Sequence, residues 1–163
     1  MGSRVTKSNK ANRTSASKKY DDSHIKAKQR LFKIYDADGD GYADEHDLDR
    51  ALLAVGYHMP QSELLRHRIA HDTDGDGRVS FAEYLNMEMD PLKLAIRERF
   101  FDYDVNYNGL ITREELEQGQ ARLKRKLPEK LVEAMFEKID SSSGEGINYN
   151  EFLELIFDIV FNV

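Results

Sequence analysis

The chain has 163 residues, 40% of them hydrophobic, which is enough for one ordinary domain or two small lobes with modest cores. It has no cysteine, which excludes disulfides and thiolate metal sites and leaves oxygen as the abundant metal donor. The formal charge of −6 hides an asymmetry, because residues 1–30 carry nine Lys or Arg against Asp21 and Asp22, a balance of +7, and the remaining 133 residues therefore carry −13.

A basic start on an acidic body predicts different partners for the two parts: an anionic surface for the first and cations for the second. Nucleic acid is the weaker expectation, since the basic segment has no aromatic residue before Tyr20 and no recognition fold. No run approaches the roughly 18 consecutive apolar residues of a membrane-spanning helix, and the N-terminus lacks the apolar stretch of a signal peptide. A soluble, cytoplasmic protein with possible membrane association is the resulting expectation.

Residues 1–21 are rich in Ser, Asn, Lys and Arg, cannot bury enough apolar surface to offset ordering, and read as a flexible basic tail. The first residues, Met1-Gly2-Ser3-Arg4-Val5-Thr6, fit an N-myristoylation pattern at Gly2. One acyl chain with a polybasic patch supplies the two signals that stable membrane anchoring needs.

From residue 22 a unit recurs: an apolar-periodic run, a twelve-residue acidic loop and a second apolar-periodic run. The loops begin at Asp36, Asp72, Asp104 and Asp140, at intervals of 36, 32 and 36. Equal outer intervals around a shorter one predict two pairs, residues 22–90 and 91–163, joined at Asp90-Pro91, where Pro suits a first helical residue after an Asp cap. Tyr35, Phe32 and Leu31 before the first loop, and Ile139, Phe136, Met135 and Val132 before the fourth, fall on one helical face. Arg99 interrupts the corresponding face before the third loop. His71, Arg68 and His67 occupy it before the second, leaving Leu64 and a shifted Ile69, so that helix is expected to pack least well.

The loops carry the chemistry. Calcium takes six to eight oxygens at about 2.3 to 2.6 Å, drawn from positions 1, 3, 5, 7, 9 and 12 of such a loop, with Gly at position 6 for the sharp turn. Residues 72–83 meet every requirement with Asp72, Asp74, Asp76, the Arg78 carbonyl, Ser80 through water, and a bidentate Glu83. Residues 104–115 do the same with Asp104, Asn106, Asn108, the Leu110 carbonyl, Thr112 and Glu115. Two amides replace carboxylates there, which lowers the attraction for the ion. Residues 36–47 offer Asp36, Asp38, Asp40, the Tyr42 carbonyl and Asp44, and end in Asp47 where Glu is usual. The arm is one methylene shorter, which moves this site toward the six-fold geometry of Mg²⁺. Residues 140–151 keep Asp140, Ser142, Asn148 and Glu151 as doubtful ligands, but Gly144 supplies no side-chain oxygen and Glu145 sits at the turn. That loop is expected to be a non-binding partner, leaving two to three Ca²⁺ sites.

On these loops and their flanking helices, roughly residues 25–158 resemble the calmodulin and troponin C branch of the EF-hand superfamily. The passage Asp47 to Pro60, DLDRALLAVGYHMP, resembles the exit helix and interhelix turn of the first lobe in that branch, with Gly56 as cap. The resemblance implies an all-α fold of two lobes, each a pair of helix-loop-helix units with a short antiparallel ribbon between its loops. It also implies a calcium sensor or adaptor that exposes an apolar groove for an amphipathic target helix. A calcium buffer that barely opens and a constitutive light-chain-like subunit remain open alternatives. Asp47, the eroded fourth loop, the short middle interval and the basic tail depart from the pattern, and point away from four-site binding and a freely extended linker.

Residues 152–163, FLELIFDIVFNV, have only Glu154, Asp158 and Asn162 as polar side chains, one narrow stripe on an otherwise apolar helix. The surplus predicts either burial within the chain or a surface for a target or for self-association. His67 and His71 are one turn apart without a recognisable third ligand, and no nucleophile motif, phosphate loop or catalytic carboxylate pair stands outside the loops, so no enzymatic activity is expected.

Overall fold

The structure is a computed structural model that describes residues 20–142 and 144–163. The N-terminal segment with Gly2, and Ser143, lie outside the described residues. Helix α1 (Asp22–Tyr35) starts where the Asp21 carboxylate accepts the His24 N–H at 2.7 Å, and buries Leu31, Phe32, Ile34 and Tyr35 on the apolar face that their spacing sets. Strand β1 (Tyr42–Ala43) leads into α2 (Glu45–Ala54). There Gly56, at φ +75°, closes a C-terminal motif in which Gly56 N–H bonds the Leu53 carbonyl and Tyr57 N–H the Leu52 carbonyl, both at 2.9 Å. The second unit is α3 (Gln61–His71), β2 (Val79–Ser80) and a short α4 (Phe81–Leu85). The third is α5 (Pro91–Tyr103), β3 (Leu110–Ile111) and α6 (Arg113–Arg122). The last is α7 (Glu129–Ser141), β4 (Ile147–Asn148) and α8 (Tyr149–Leu155), which widens into a π-helical turn over Ile156–Phe161.

The fold is all-α apart from two antiparallel ribbons, as the loop pairing predicts. Tyr42 faces Ser80 and Ala43 faces Val79 in one; Leu110 faces Asn148 and Ile111 faces Ile147 in the other. Among the described residues no helix is long and apolar enough to cross a membrane. Helix α3 buries only Leu64, and Ile69, counted in the sequence among its packing residues, points outward and is 60% exposed. The inner place goes instead to Arg68, whose guanidinium reaches Glu45 at 2.7 Å and Asp72 at 3.2 Å.

The two pairs lie against each other through α2 and α5, and one buried apolar cluster runs through both. At the joint, Asp90 is buried and caps α5, accepting N–H bonds from Leu92 at 2.9 Å and Lys93 at 3.2 Å. It also accepts the hydroxyls of Tyr35 on α1, at 2.7 Å, and of Tyr84 on α4. Burial, followed by the adjacent Asp90 charge, holds both phenols well above the usual tyrosine range. Arg99, which broke the apolar phase of α5, is buried as well: it pairs with Asp102 at 2.7 Å and donates to the Arg125 carbonyl.

The apolar C-terminal helix is largely covered by its own chain. Phe152, Ile156 and Phe157 are buried, and Leu153, Leu155, Val160, Phe161 and Val163 pack partly against the core. Its polar stripe meets Arg30 of α1, which bonds both Glu154 oxygens at 2.9 and 2.7 Å, Asp158 at 3.3 Å and the Val163 carbonyl at 3.1 Å. The same guanidinium lies over the Phe157 ring at 4.6 Å.

Candidate metal centres

In the second loop the Asp72 carboxylate, at the C-terminal end of α3, folds the chain around itself. It accepts N–H bonds from Gly75 at 2.8 Å, Asp76 at 3.1 Å and Gly77 at 2.9 Å. Gly75 and Gly77 sit at φ +76° and +90°, where a side chain would be strained. Asp72, Asp74 and Asp76 then bring carboxylate oxygens within 4.8 Å of one another. Glu83 closes the far side: one oxygen takes the Thr73 N–H and hydroxyl at 2.7 and 2.8 Å, the other the Ser80 N–H and hydroxyl, both at 2.8 Å. These donors, the Ser80 N–H foremost, hold the Glu83 carboxyl at about 2. Glu83 is also the third residue of α4, in a reciprocal cap with Ser80.

The first loop has the same acidic triplet, Asp36, Asp38 and Asp40, within the same 4.8 Å. One Asp36 oxygen accepts the Gly41 N–H at 3.1 Å, and the other is buried with no hydrogen-bond partner. Asp47 behaves as its shorter arm dictates: it bonds the Asp44 N–H at 3.0 Å and Arg50 at 3.3 Å, both close by in the chain, in a reciprocal cap with Asp44. Arg78 ties the first two loops together, pairing with Asp40 at 3.2 Å and lying over the Tyr42 ring at 3.8 Å.

In the third loop Asp104 is fully buried and accepts N–H bonds from Asn108 at 3.1 Å and Gly109 at 2.9 Å. The Asn106 and Asn108 side-chain oxygens each accept a loop N–H at 2.9 Å. One Glu115 oxygen bonds the Thr112 N–H at 3.0 Å; the other is buried without a partner. A buried, unpaired carboxylate oxygen is costly in the absence of a cation. Its occurrence at the first position of one loop and the twelfth of another fits a hard divalent ion, as does a donor set made of carboxylate, amide and hydroxyl oxygens.

The fourth loop is built differently. The other entering helices stop at Tyr35, His71 and Tyr103, one residue before the loop's first Asp, but α7 continues through Asp140 to Ser141. Among the described residues of this loop the positive φ values fall at Gly144 and Gly146, one place later than Gly39 and Gly41 or Gly75 and Gly77 in theirs. Gly146 is pressed so close to the ribbon that an added Cβ would lie 2.9 Å from the Ile111 carbonyl oxygen. The doubtful ligands do not converge: Asp140 pairs with Arg113, the Ser142 hydroxyl donates to the Ile139 carbonyl at 3.2 Å, and Asn148 caps α8 with Glu151. Glu151 also lies 3.5 Å from Lys138. Sequence reasoning missed Thr73, Arg113, Lys138 and the guanidinium role of Arg78, which it had named for its carbonyl alone. Only Lys138 left a signal, as a cation two residues before a loop short of its own carboxylates; Arg113 reaches Asp140 from 27 residues away.

A family model of the EF-hand domain pair matches residues 26–87 and again 93–157. The chain belongs to the EF-hand family. Troponin C isoform 2A of Homarus americanus is 26% identical over 144 residues, covering 83% of this chain and 96% of that protein. The calcium-binding allergen Ole e 8 of Olea europaea is 30% identical over 136 residues, covering 78% and 80%. Cell division control protein 31 of Schizosaccharomyces pombe is 29% identical over 133 residues, covering 78% and 75%. This EF-hand protein is thus a calcium-binding protein related to troponin C.

Proposed function

We propose that this EF-hand protein binds Ca²⁺ at residues 36–47, 72–83 and 104–115, with Mg²⁺ competing at the first, and acts as a sensor that offers an apolar groove to an amphipathic helix of a partner protein. The observation that carries the reading is the double duty of the twelfth loop residue. Glu83 and Glu115 are loop ligand candidates and, in the same place, the third residues of α4 and α6, each in a reciprocal cap with Ser80 or Thr112. Bound calcium would supply the positive charge that these acids lack. Any turn of the Glu83 carboxylate away from Thr73 and Ser80 re-aims α4 as a whole, because the residue lies in its first turn. The apolar interior beside it is lined by Leu48, Leu64, Val79 and Met87 and is the surface such a movement would uncover.

A buffer with little opening has one observation in its favour: Asp90 holds α1, α4 and α5 together through Tyr35 and Tyr84. Apolar-dye fluorescence separates the two readings when the protein is titrated with calcium over a magnesium background, with tyrosine emission reporting occupancy. A rise in dye signal that tracks occupancy is the expected result. Occupancy without a rise would establish the buffer, and no calcium response would overturn both readings.

A further inference from the structure

The described surface carries an apolar face made of residues that are not among the calcium-ligand candidates. Met89 is 64% exposed just before α5, and Leu94 and Phe101, each 38% exposed, lie two turns apart on that helix. Tyr107, 75% exposed, continues the line, its ring 5.9 Å from Phe101. Tyr107 sits at φ +56°, where loops one and two place Gly39 and Gly75. An aromatic side chain is a costly choice in that conformation, and packing does not repay it, since most of the ring faces solvent.

The charge beside this line is positive on a body that is otherwise strongly acidic. Lys93 and Arg97 stand on the same exposed side of α5, Arg97 5.8 Å from the Phe101 ring, with Glu98 as the acid among them. Met89, Lys93, Leu94 and Arg97 line a cleft with Tyr20, His24 and Lys28 at the start of α1, where Glu88 and the buried Asp90 supply the acids. Tyr20 is where the described chain begins, and the 19 residues before it carry six Lys or Arg and no acid. The described chain thus starts, at Tyr20, on the face that shows apolar and aromatic groups beside Lys and Arg. Apolar and aromatic groups interleaved with cations are the combination that suits the boundary of an anionic bilayer, with rings at headgroup depth and ammonium and guanidinium groups on lipid phosphates.

We infer that this face, Met89, Leu94, Phe101 and Tyr107 with Lys93 and Arg97, docks on an anionic lipid surface. The inference does not rest on the sensor reading. The test is flotation of the full chain with vesicles in EGTA, using phosphatidylcholine alone or mixed with phosphatidylserine. The parent protein is expected on the mixed vesicles and not on the neutral ones. A Leu94→Gln, Tyr107→Asn double variant changes exposed positions only, and Asn tolerates the positive φ. It is expected to keep its helical circular dichroism and to lose on the order of tenfold in vesicle partitioning. Partitioning unchanged in the folded double variant would overturn the inference, since the basic segment alone would then explain the attraction. A parent that ignores both vesicles but binds a glutamate-rich amphipathic peptide would overturn it too, and would assign the face to a protein partner.

Discussion

The third and fourth loops share one ribbon, Ile111 against Ile147, yet they treat their acids in opposite ways. In the third, Asp104 and one Glu115 oxygen are buried, and that oxygen has no partner in the protein. In the fourth, Asp140 and Glu151 are answered by the side chains of Arg113 and Lys138. The lesson is that a helix-loop-helix unit can keep its ribbon and its exit-helix cap after giving up the need for an ion, provided that cations of the chain neutralise its end positions. The two extra residues of α7 make the exchange geometric as well as electrostatic, because Asp140 leaves the loop for the helix.

The largest expected break in this contrast comes from the twelfth positions. Glu115→Gln should weaken calcium binding at the third loop by at least about a hundredfold, since it removes a direct ligand charge and even an outer-shell partner brings up to that loss. Glu151→Gln should leave calorimetric calcium binding unchanged. Equal losses in the two variants would mean that both loops bind.

The glycines give the next effect. Gly109 and Gly146 both have positive φ, but a Cβ at Gly109 meets nothing within 4 Å whereas one at Gly146 meets the Ile111 carbonyl. Gly109→Ala should cost about 1 kcal/mol from backbone strain alone, and Gly146→Ala about 2 to 3 kcal/mol from strain and overpacking together. Urea unfolding of the metal-free protein reads both values. A smaller loss at Gly146 would show that the fourth loop is not held tightly to the ribbon.

The smallest effect is the most diagnostic. Arg113 and its partner Asp140 are 41% and 63% exposed, so Arg113→Gln should cost less than about 1 kcal/mol in stability. If helix length excludes the ion, this variant still takes up none at the fourth loop. A new calcium site in Arg113→Gln would show that the guanidinium, not the backbone, keeps the ion out.

The third loop was legible in the sequence because calcium demands oxygens at fixed offsets, and a twelve-residue pattern with Gly109 at the turn leaves few other readings. The fourth could be seen to be eroded, since Gly144 has no side chain to offer. Its actual construction was not legible: α7 runs on to Ser141 with no local stop or continue signal that sets it apart, and the Arg113 guanidinium that meets Asp140 arrives from 27 residues away. Asp90 could be foreseen as a helix cap from Asp-Pro alone. Its bonds to Tyr35 and Tyr84 could not, because they arise only when α1 and α4 converge on the joint. The apolar excess of the last helix was plain, but its cover was not, since Arg30 gave no local sign that it would meet Glu154 and Asp158.

Native mass spectrometry of the intact protein in saturating calcium tests the central claim most directly. The account predicts three bound ions, falling to two in Glu115→Gln and remaining three in Glu151→Gln. Four ions in the parent protein would contradict the assignment of the fourth loop as an ion-free scaffold.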